Sequence, residues 1–396
     1  MQESLEELAL LARTAGLQVV GHITQTLETI HPATYIGKGK LDEARSILAH
    51  TPFDVLLFDV ELSPTQQRNI EEVIDAKVLD RTALILDIFA AHARTREGAL
   101  QVELAQYEYR LPRLTRQWTH LSRQSVGGVG LRGPGETQLE SDRRDIRRRI
   151  AQLHKSLEDV RSHRELYRRR RREAALSTVA LVGYTNAGKS TLLNQISGSD
   201  VLVEDKLFAT LDPTTRKVAL PGGHEVLFTD TVGFIQKLPT TLISAFRATL
   251  EEILEAEVMV HVVDITSRTV LGQSWAVAET LRQIGAHDIP LVTALNKIDR
   301  LESPEHIQEM LAGFPNSIGV SALTGQGIDQ LLTRIGEVLT EQMLDVDLRL
   351  PYSAGELAAM IRRYGVVESE DAGRDGVTIR GRVPPALYSQ LRKYLF

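Results

Sequence analysis

The sequence of 396 residues predicts an α/β protein with a doubly wound sheet at its centre. A small parallel α/β domain and an antiparallel helical hairpin precede that sheet, and a small α+β domain follows it. Three patterns predict this. The short apolar runs Val179–Val182, Val258–Val263 and Pro290–Leu295 are each separated by helix-like segments, as in strands buried on both faces. Before them, strand-like and helix-like stretches alternate at short spacing. Between these regions, two heptad seams flank a glycine-rich stretch. The expected domains are 1–97, 98–174, 175–342 and 343–396.

Composition narrows the function. Hydrophobic residues make up 42% of the chain, enough for real cores. The absence of cysteine excludes a disulfide scaffold, thiol chemistry and a Cys–zinc site, and fits a reducing cytoplasm. The first residues, MQESLEELALLART, are acidic and amphipathic, unlike a signal peptide. No apolar run approaches the roughly 18 residues of a spanning helix. A cytoplasmic protein without stable membrane insertion, monomeric in solution, is the expectation. The net charge of −6 argues against a nucleic-acid binder until its distribution is seen. Ser141–Ala174 carries 12 Arg and one Lys against six acids, a local +7 that leaves −13 elsewhere.

In chain order, Leu17–Thr26, Asp54–Asp59 and Lys77–Asp80 read as strands. Leu41–His50, Pro64–Asp75 and Thr82–Ala91 read as helices. Tyr35–Lys40 (YIGKGK) is glycine-rich but lacks a Gly-Lys-Ser ending, and reads as a turn. Leu100, Leu104, Tyr107, Leu111, Leu114, Trp118 and Leu121 form the first seam, with Pro112 inside it to kink or break the helix. Ile146, Ile150, Leu153, Leu157 and Val160 form the second. The tip between them holds glycines 127, 128, 130, 133 and 135, more chain than a simple hairpin needs, and suits an RNA or phosphate surface. The basic helix ends in Arg168–Arg172. Such a run is often a solvated face, but one this dense exceeds what intrahelical acids can neutralise, so phosphate contact accounts for it better.

Ser177–Thr191 reads strand, loop, helix, and its loop is Gly183-Tyr184-Thr185-Asn186-Ala187-Gly188-Lys189-Ser190-Thr191. That is the P-loop pattern, in which backbone N–H groups converge on phosphate, Lys189 reaches the β- and γ-phosphates and Ser190 offers a hydroxyl to Mg²⁺. Thr215–Leu220 and Glu225–Thr229 read as a hairpin. Asp230-Thr231-Val232-Gly233 follows it, where a carboxylate can hold Mg²⁺ and a glycine N–H can touch the γ-phosphate. Asn296-Lys297-Ile298-Asp299 ends the Pro290–Leu295 strand, and Asp299 can accept from both N1–H and the 2-amino group of guanine. Ser321-Ala322-Leu323 would back the base with a main-chain N–H. Further helices are expected at Leu242–Ala256, Ser274–Ile284 and Ile328–Thr340. The tail reads as βαββα, with a capping box at Ser353–Glu356 and a turn at Asp375-Gly376.

The order of these motifs, each after a strand, resembles the five G motifs of translation-factor-class GTPases. Thr210, Thr214 and Thr215 could each give Mg²⁺ its second hydroxyl, and spacing does not choose among them. Phe208-Ala209-Thr210-Leu211-Asp212 resembles switch I of the Obg/HflX superfamily, and that resemblance implies Thr210. Lys189, Thr210 and Gly233 are then the catalytic candidates, and Ser190, Thr210 and Asp230 the metal ligands. The position after the switch II glycine, where Ras-like enzymes carry a water-orienting Gln, holds Phe234, so isolated turnover should be slow. Asn186 stands where K⁺-activated GTPases carry a cation ligand, and an Asn there also serves as a backbone brace, so K⁺ use is left open.

Gly133–Glu140 (GPGETQLE), ahead of an arginine-rich helix and then GYTNAGKST and DTVGFI, is similar to the HflX family, and the likeness spans essentially the whole chain. It implies a cytoplasmic, Mg²⁺-dependent GTPase that binds GTP and GDP. It also implies association with the large (50S) ribosomal subunit and its rRNA, stimulation by that subunit, and splitting or rescue of stalled ribosomes under stress. Weaker ATP hydrolysis is described for the family, whereas Asn296–Asp299 argues for GTP here. A GTPase of ribosome assembly or tRNA modification, and a regulatory GTP-binding scaffold, are the alternatives.

Overall fold

The computed structural model describes residues 2–114, 134–173, 176–198, 207–208, 210–221, 223–237, 247–301 and 311–395. It divides into two compact units, residues 1–160 with 237–246 and residues 161–236 with 247–396. Among the described residues no helix is long and apolar enough to cross a membrane.

The first unit contains α1 (Gln2–Thr14), α2 (Lys38–His50), β1 (Val55–Phe58), α3 (Pro64–Ile74), β2 (Lys77–Asp80), α4 (Arg81–His92), α5 (Arg96–Arg110) and the start of α6 (Pro134–Glu173). β1 and β2 pair in parallel from Val55↔Lys77 to Phe58↔Asp80, which requires a crossover, supplied by α3. A capping box of Ser63 and Gln66, with Pro64 in the first turn, starts that helix. Asp80 caps α4 by accepting from the Ala83 N–H (2.8 Å), and it also accepts the Tyr109 hydroxyl of α5 (2.8 Å). Arg81 is buried but paired with Glu7 and Asp59, as a buried cation must be. Asp59 also accepts from Lys237 at 2.5 Å.

Three expectations change here. Leu17–Thr26 is not a strand. Among the described residues no neighbour supplies a ladder there, and Val19 and Val20 are 38% and 55% exposed; apolar alternation makes a strand only where backbone groups find partners. Only half of Tyr35–Lys40 is a turn: Tyr35 (φ 63°) closes on His31, whereas Gly37 precedes α2 and Lys38–Lys40 begin it. The first seam breaks after Arg110, as expected from Pro112, which lies in a 3₁₀ turn over Leu111–Leu114; what changes is the direction of the helices. In the second seam Leu153 is buried, and Ile146, Ile150, Leu157 and Val160 are half-buried. The Glu103–Arg149 ion pair and the Glu108–His154 contact step in the same direction along both helices, so α5 runs parallel to this part of α6. The antiparallel partner expected for α6 is therefore not α5. The rest of the first seam, with most of the tip, lies outside the described residues.

The second unit holds β3 (Ser177–Gly183), α7 (Lys189–Ser197), β4 (Thr214–Ala219), β5 (Glu225–Asp230), α8 (Arg247–Leu254), β6 (Val258–Asp264), α9 (Val270–Ile284), β7 (Leu291–Asn296), β8 (Ser317–Gly319) and α10 (Ile328–Glu341). The six strands form one sheet in the order β4-β5-β3-β6-β7-β8, parallel except for β4. The chain winds to one side of β3 and then to the other, so a crevice opens at the carboxyl end of β3, where such sheets bind ligands. Side chains of β3, β5, β6 and β7 form one core with α7 and α10. Of the helix expected at Leu242–Ala256, residues 242–246 lie outside the described residues and Arg247–Leu254 is helical.

The same unit ends in β9 (Leu344–Leu350), α11 (Gly355–Tyr364), β10 (Val366–Ala372), β11 (Val377–Val383) and α12 (Pro385–Leu391), with an antiparallel sheet in the order β10-β11-β9. Gly376 is obligatory in the β10–β11 turn, since a Cβ there would lie 2.1 Å from the Leu350 carbonyl oxygen. The capping box at Ser353 does not form. Tyr352–Ala354 already turn as a 3₁₀ helix, so Ser353 lacks the extended backbone of a cap, and α11 starts without a side-chain cap bond.

Candidate active site at the strand ends

The loop after β3 follows from backbone constraints. A Cβ on Gly183 would lie 2.3 Å from the Val262 carbonyl oxygen, and one on Gly188 would lie 2.3 Å from Asn296 Nδ2. Asn186 (φ 61°) and Gly188 (φ 96°) adopt left-handed backbone, which turns the loop into α7. The first N–H groups of that helix thus open onto the loop, an anion-binding arrangement. Lys189 is 6% exposed and donates to the carbonyl oxygens of Gly183 (3.1 Å) and Tyr184 (2.9 Å). Burial pulls its pKa down to about 8, against the opposing pull of Asp230. His261 of β6 is pushed down to about 4 by burial and then by Lys189. It stays neutral and adds no second cation.

This has a pH consequence. A bound polyphosphate stabilises the protonated Lys189, so binding above pH 8 takes up a proton. Affinity is expected to be flat below that pH and to fall as pH rises through it, about tenfold by one unit above. Titration calorimetry of GDP in buffers of different ionisation enthalpy checks this. Proton uptake absent at pH 9 contradicts it. In nucleotide-free protein the sign reverses: the unfolded chain holds this proton more tightly, so stability from this group rises between pH 8 and about 10.5.

Three oxygen-bearing side chains meet beside the loop. Ser190 Oγ donates to Asp230 Oδ2 (2.7 Å) and lies 2.8 Å from Thr210 Oγ1. Asp230 Oδ1 is buried and has no hydrogen-bond partner among the described residues. Burial raises the Asp230 pKa despite Lys189, Ser190 and Thr210. Two hydroxyls and an under-compensated carboxylate form a hard oxygen set suited to Mg²⁺. Thr215 instead pairs with Thr229 across the β4–β5 hairpin (3.0 Å), and Thr214 opens β4. Of the three threonines, Thr210 is the one beside Ser190. Phe208 (φ 57°) and Leu211 are buried around it, Asp212 is half-buried, and Ala209 lies outside the described residues.

The chain after Asp230 is fastened to the loop. Thr231 Oγ1 donates to the Leu181 carbonyl oxygen (2.6 Å), and Val232 is buried. Phe234 N–H donates to Gly183 O (3.0 Å), and Thr185 N–H donates to Phe234 O (2.8 Å). The Phe234 ring is 2% exposed, so this position packs and does not orient water. Gly233 has no room for a side chain: a Cβ would meet Thr185 Cα and Cγ2 at 2.8 Å and Lys189 Nζ at 3.1 Å. Tyr184 OH accepts the Gln236 N–H at 2.8 Å, a clasp that the loop spacing gave no reason to expect.

Asn296 joins two loops: its Nδ2 donates to Ala187 O (2.8 Å), and its Oδ1 accepts the Ala322 N–H (2.9 Å). Lys297 (φ 70°) donates to Asn186 O (2.9 Å) and pairs with Asp264 at 2.5 Å. Ser321 donates to Asp299 Oδ1 at 2.6 Å. Ile298 is buried and Leu323 is exposed. The structure thus brings the segments around Lys189, Asp230, Asn296 and Ser321 to one end of the sheet. Asp264 was missed by sequence reasoning. Its signal was the one that marks Asp230, an acid closing a buried strand.

Comparison with known proteins agrees along the whole length. Residues 2–90 match a family described as GTP-binding GTPase N-terminal, and 92–171 its middle region. Residues 178–297 match the 50S ribosome-binding GTPase family, and 306–392 the HflX C-terminal domain. The GTPase HflX of Lacrimispora saccharolytica is 45% identical over 388 residues, covering 98% of this chain and 91% of that protein. That of Magnetococcus marinus is 47% identical over 394 residues, covering 99% and 90%. A GDP-bound GTP-binding protein of the archaeon Sulfolobus solfataricus superposes with a TM-score of 0.45 at 24% identity, over 86% of this chain and 96% of that one.

Proposed function

The chain belongs to the HflX family of GTPases, and we propose that it is a Mg²⁺-dependent switch that binds the large ribosomal subunit, is stimulated by it, and splits or rescues stalled ribosomes. The observation that carries the nucleotide half is the convergence of Ser190, Thr210 and Asp230 beside buried Lys189. In this reading the backbone N–H groups of residues 186–191 and Lys189 hold the β- and γ-phosphates. Ser190, Thr210 and Asp230 would hold Mg²⁺, which when bound neutralises charge on the phosphate oxygens. Asp299, held by Ser321, accepts two hydrogen bonds from guanine, while the Ala322 segment braces the pocket through Asn296. Gly233 N–H and Thr210 sense the γ-phosphate, which ties the Phe208–Asp212 and Asp230–Phe234 segments to the nucleotide state.

The ribosomal half is supported by two features. The G domain matches a family described as 50S ribosome-binding, and α6, some 60 Å long at 40 residues, carries the basic stretch. Phe234 leaves the site without a water-orienting amide, which fits low activity until a partner completes it. Replacing Arg168–Arg172 with Gln is expected to weaken co-sedimentation with large subunits at least tenfold at physiological salt and to flatten its salt dependence. Unaltered salt dependence would return the run to a solvated role. GTP is the substrate of this reading and the ribosome the partner that stimulates its hydrolysis, and a cytoplasmic location follows from it.

A further inference from the structure

Away from the nucleotide loop, the second unit holds a cleft of about 430 Å³ between the G domain and the C-terminal sheet, the size of a small-ligand pocket. Ser177, Glu225 and Val226 line it at the amino ends of β3 and β5, whereas the loop and Asp230 lie at their carboxyl ends. Leu220, Pro221, Leu339 and Met343 give it an apolar wall. Its acids are already committed. Glu225 pairs with Lys217 (2.8 Å) and Arg363 (2.5 Å), and Glu337 and Glu341 pair with Arg334 (2.8 and 3.2 Å). Its donors are not. Among the described residues the half-buried Arg382 guanidinium, the His224 imidazole and the Tyr364 hydroxyl, all on the lining, have no hydrogen-bond partner. Asp345 stands opposite Arg382 in the β9–β11 register but forms no ion pair with it. Of the guanidinium nitrogens only Nε is closed off, so the terminal two stay available. A glycine widens the cleft. Gly336 lines it from the interior of α10, where glycine is the poorest helix former after proline. Packing does not require it, since a Cβ there would meet only Leu220 Cδ1, at an ordinary 3.7 Å. Leu220 belongs to the apolar wall, so the side chain that glycine omits would point into the cleft.

We infer that this cleft binds a small organic anion, a phosphate or carboxylate carried on an apolar body. The terminal nitrogens of Arg382 meet the charge, and His224 and Tyr364 each add an N–H or O–H donor. The apolar body lies against Leu220, Leu339 and Met343 and fills the space beside Gly336. A half-buried guanidinium without a counter-charge is costly, and the bound anion offsets that cost. A cation does not suit the same place, because each lining acid already has a base of its own and Arg382 repels it. The wall belongs to the G domain and the guanidinium to β11, so a bound anion also ties these two parts together. This inference does not rest on the nucleotide pocket, which lies at the other end of the strands.

The test is fluorescence titration of the full chain, with GDP and Mg²⁺ in excess, using naphthyl phosphate, naphthoate and neutral naphthol. At least one of the two anions is expected to bind with a dissociation constant on the order of 0.1 mM, and naphthol at least tenfold more weakly. The tighter anion tells phosphate from carboxylate. Arg382→Gln is expected to weaken anion binding at least tenfold, to the level of naphthol, with GDP affinity unchanged. Gly336→Leu is expected to abolish binding of all three without lowering the melting temperature, and it decides the matter if the Arg382 variant fails to fold. Absence of anion binding by the parent, naphthol binding as tight as either anion, or full affinity in either variant overturns the inference. So does competition between the anion and GDP, which would place the anion in the nucleotide pocket.

Discussion

Lys189→Ala is expected to lose GTP and GDP affinity by about a thousandfold, close to 4 kcal/mol, the range seen when one partner of a buried charge pair is removed. The size follows from where the ammonium sits. It is buried at the mouth of the loop, and its two backbone acceptors hold it in place before nucleotide arrives. Burial already costs the charged form, as its lowered pKa records, and that cost is recovered only when an anion arrives. Alanine leaves the phosphates facing a ring of N–H groups without the full positive charge of the lysine. Equilibrium binding of a fluorescent guanine nucleotide reads the result. Affinity within threefold of the parent would mean that Lys189 is a packing residue.

Asp299→Asn is expected to reverse base preference. Guanine loses two charge-assisted hydrogen bonds and gains a clash of donors, about 4 kcal/mol or roughly a thousandfold. Xanthine carries an oxygen where guanine carries its amino group, so the asparagine amide suits it and xanthosine triphosphate should bind better than GTP. Ser321 Oγ, 2.6 Å from the carboxylate, can still bond the asparagine oxygen, so the loop should keep its shape. Competition between GTP and xanthosine triphosphate at equal concentration measures the switch. Continued preference for GTP would remove Asp299 from the base-reading role.

The sheet and the loop were legible because local rules suffice there. Val179–Val182 can only be buried, Gly183 and Gly188 meet neighbouring atoms that leave no space for a Cβ, and Asp230 and Asn296 fall where buried strands end. Elsewhere tertiary context decided. Leu17–Thr26 has a strand's residues, but a strand needs a neighbour's backbone, which no local pattern reveals. Ser353 had the spacing of a cap, and the 3₁₀ turn begun at Tyr352 claimed its backbone first. The contacts that show the direction of α5 against α6, Glu103–Arg149 and Glu108–His154, lie off the heptad positions, so heptads alone could not give it. At the site, Lys297 pairing with Asp264 and Tyr184 holding Gln236 join positions 33 and 52 residues apart, out of reach of any motif.

The most direct test of the proposed switch is GTP turnover by the purified chain with and without vacant large ribosomal subunits, with Lys189→Ala as the background. Hydrolysis is expected to be slow alone, many-fold faster with subunits, and lost under both conditions in the variant. Equal turnover with and without subunits would contradict it.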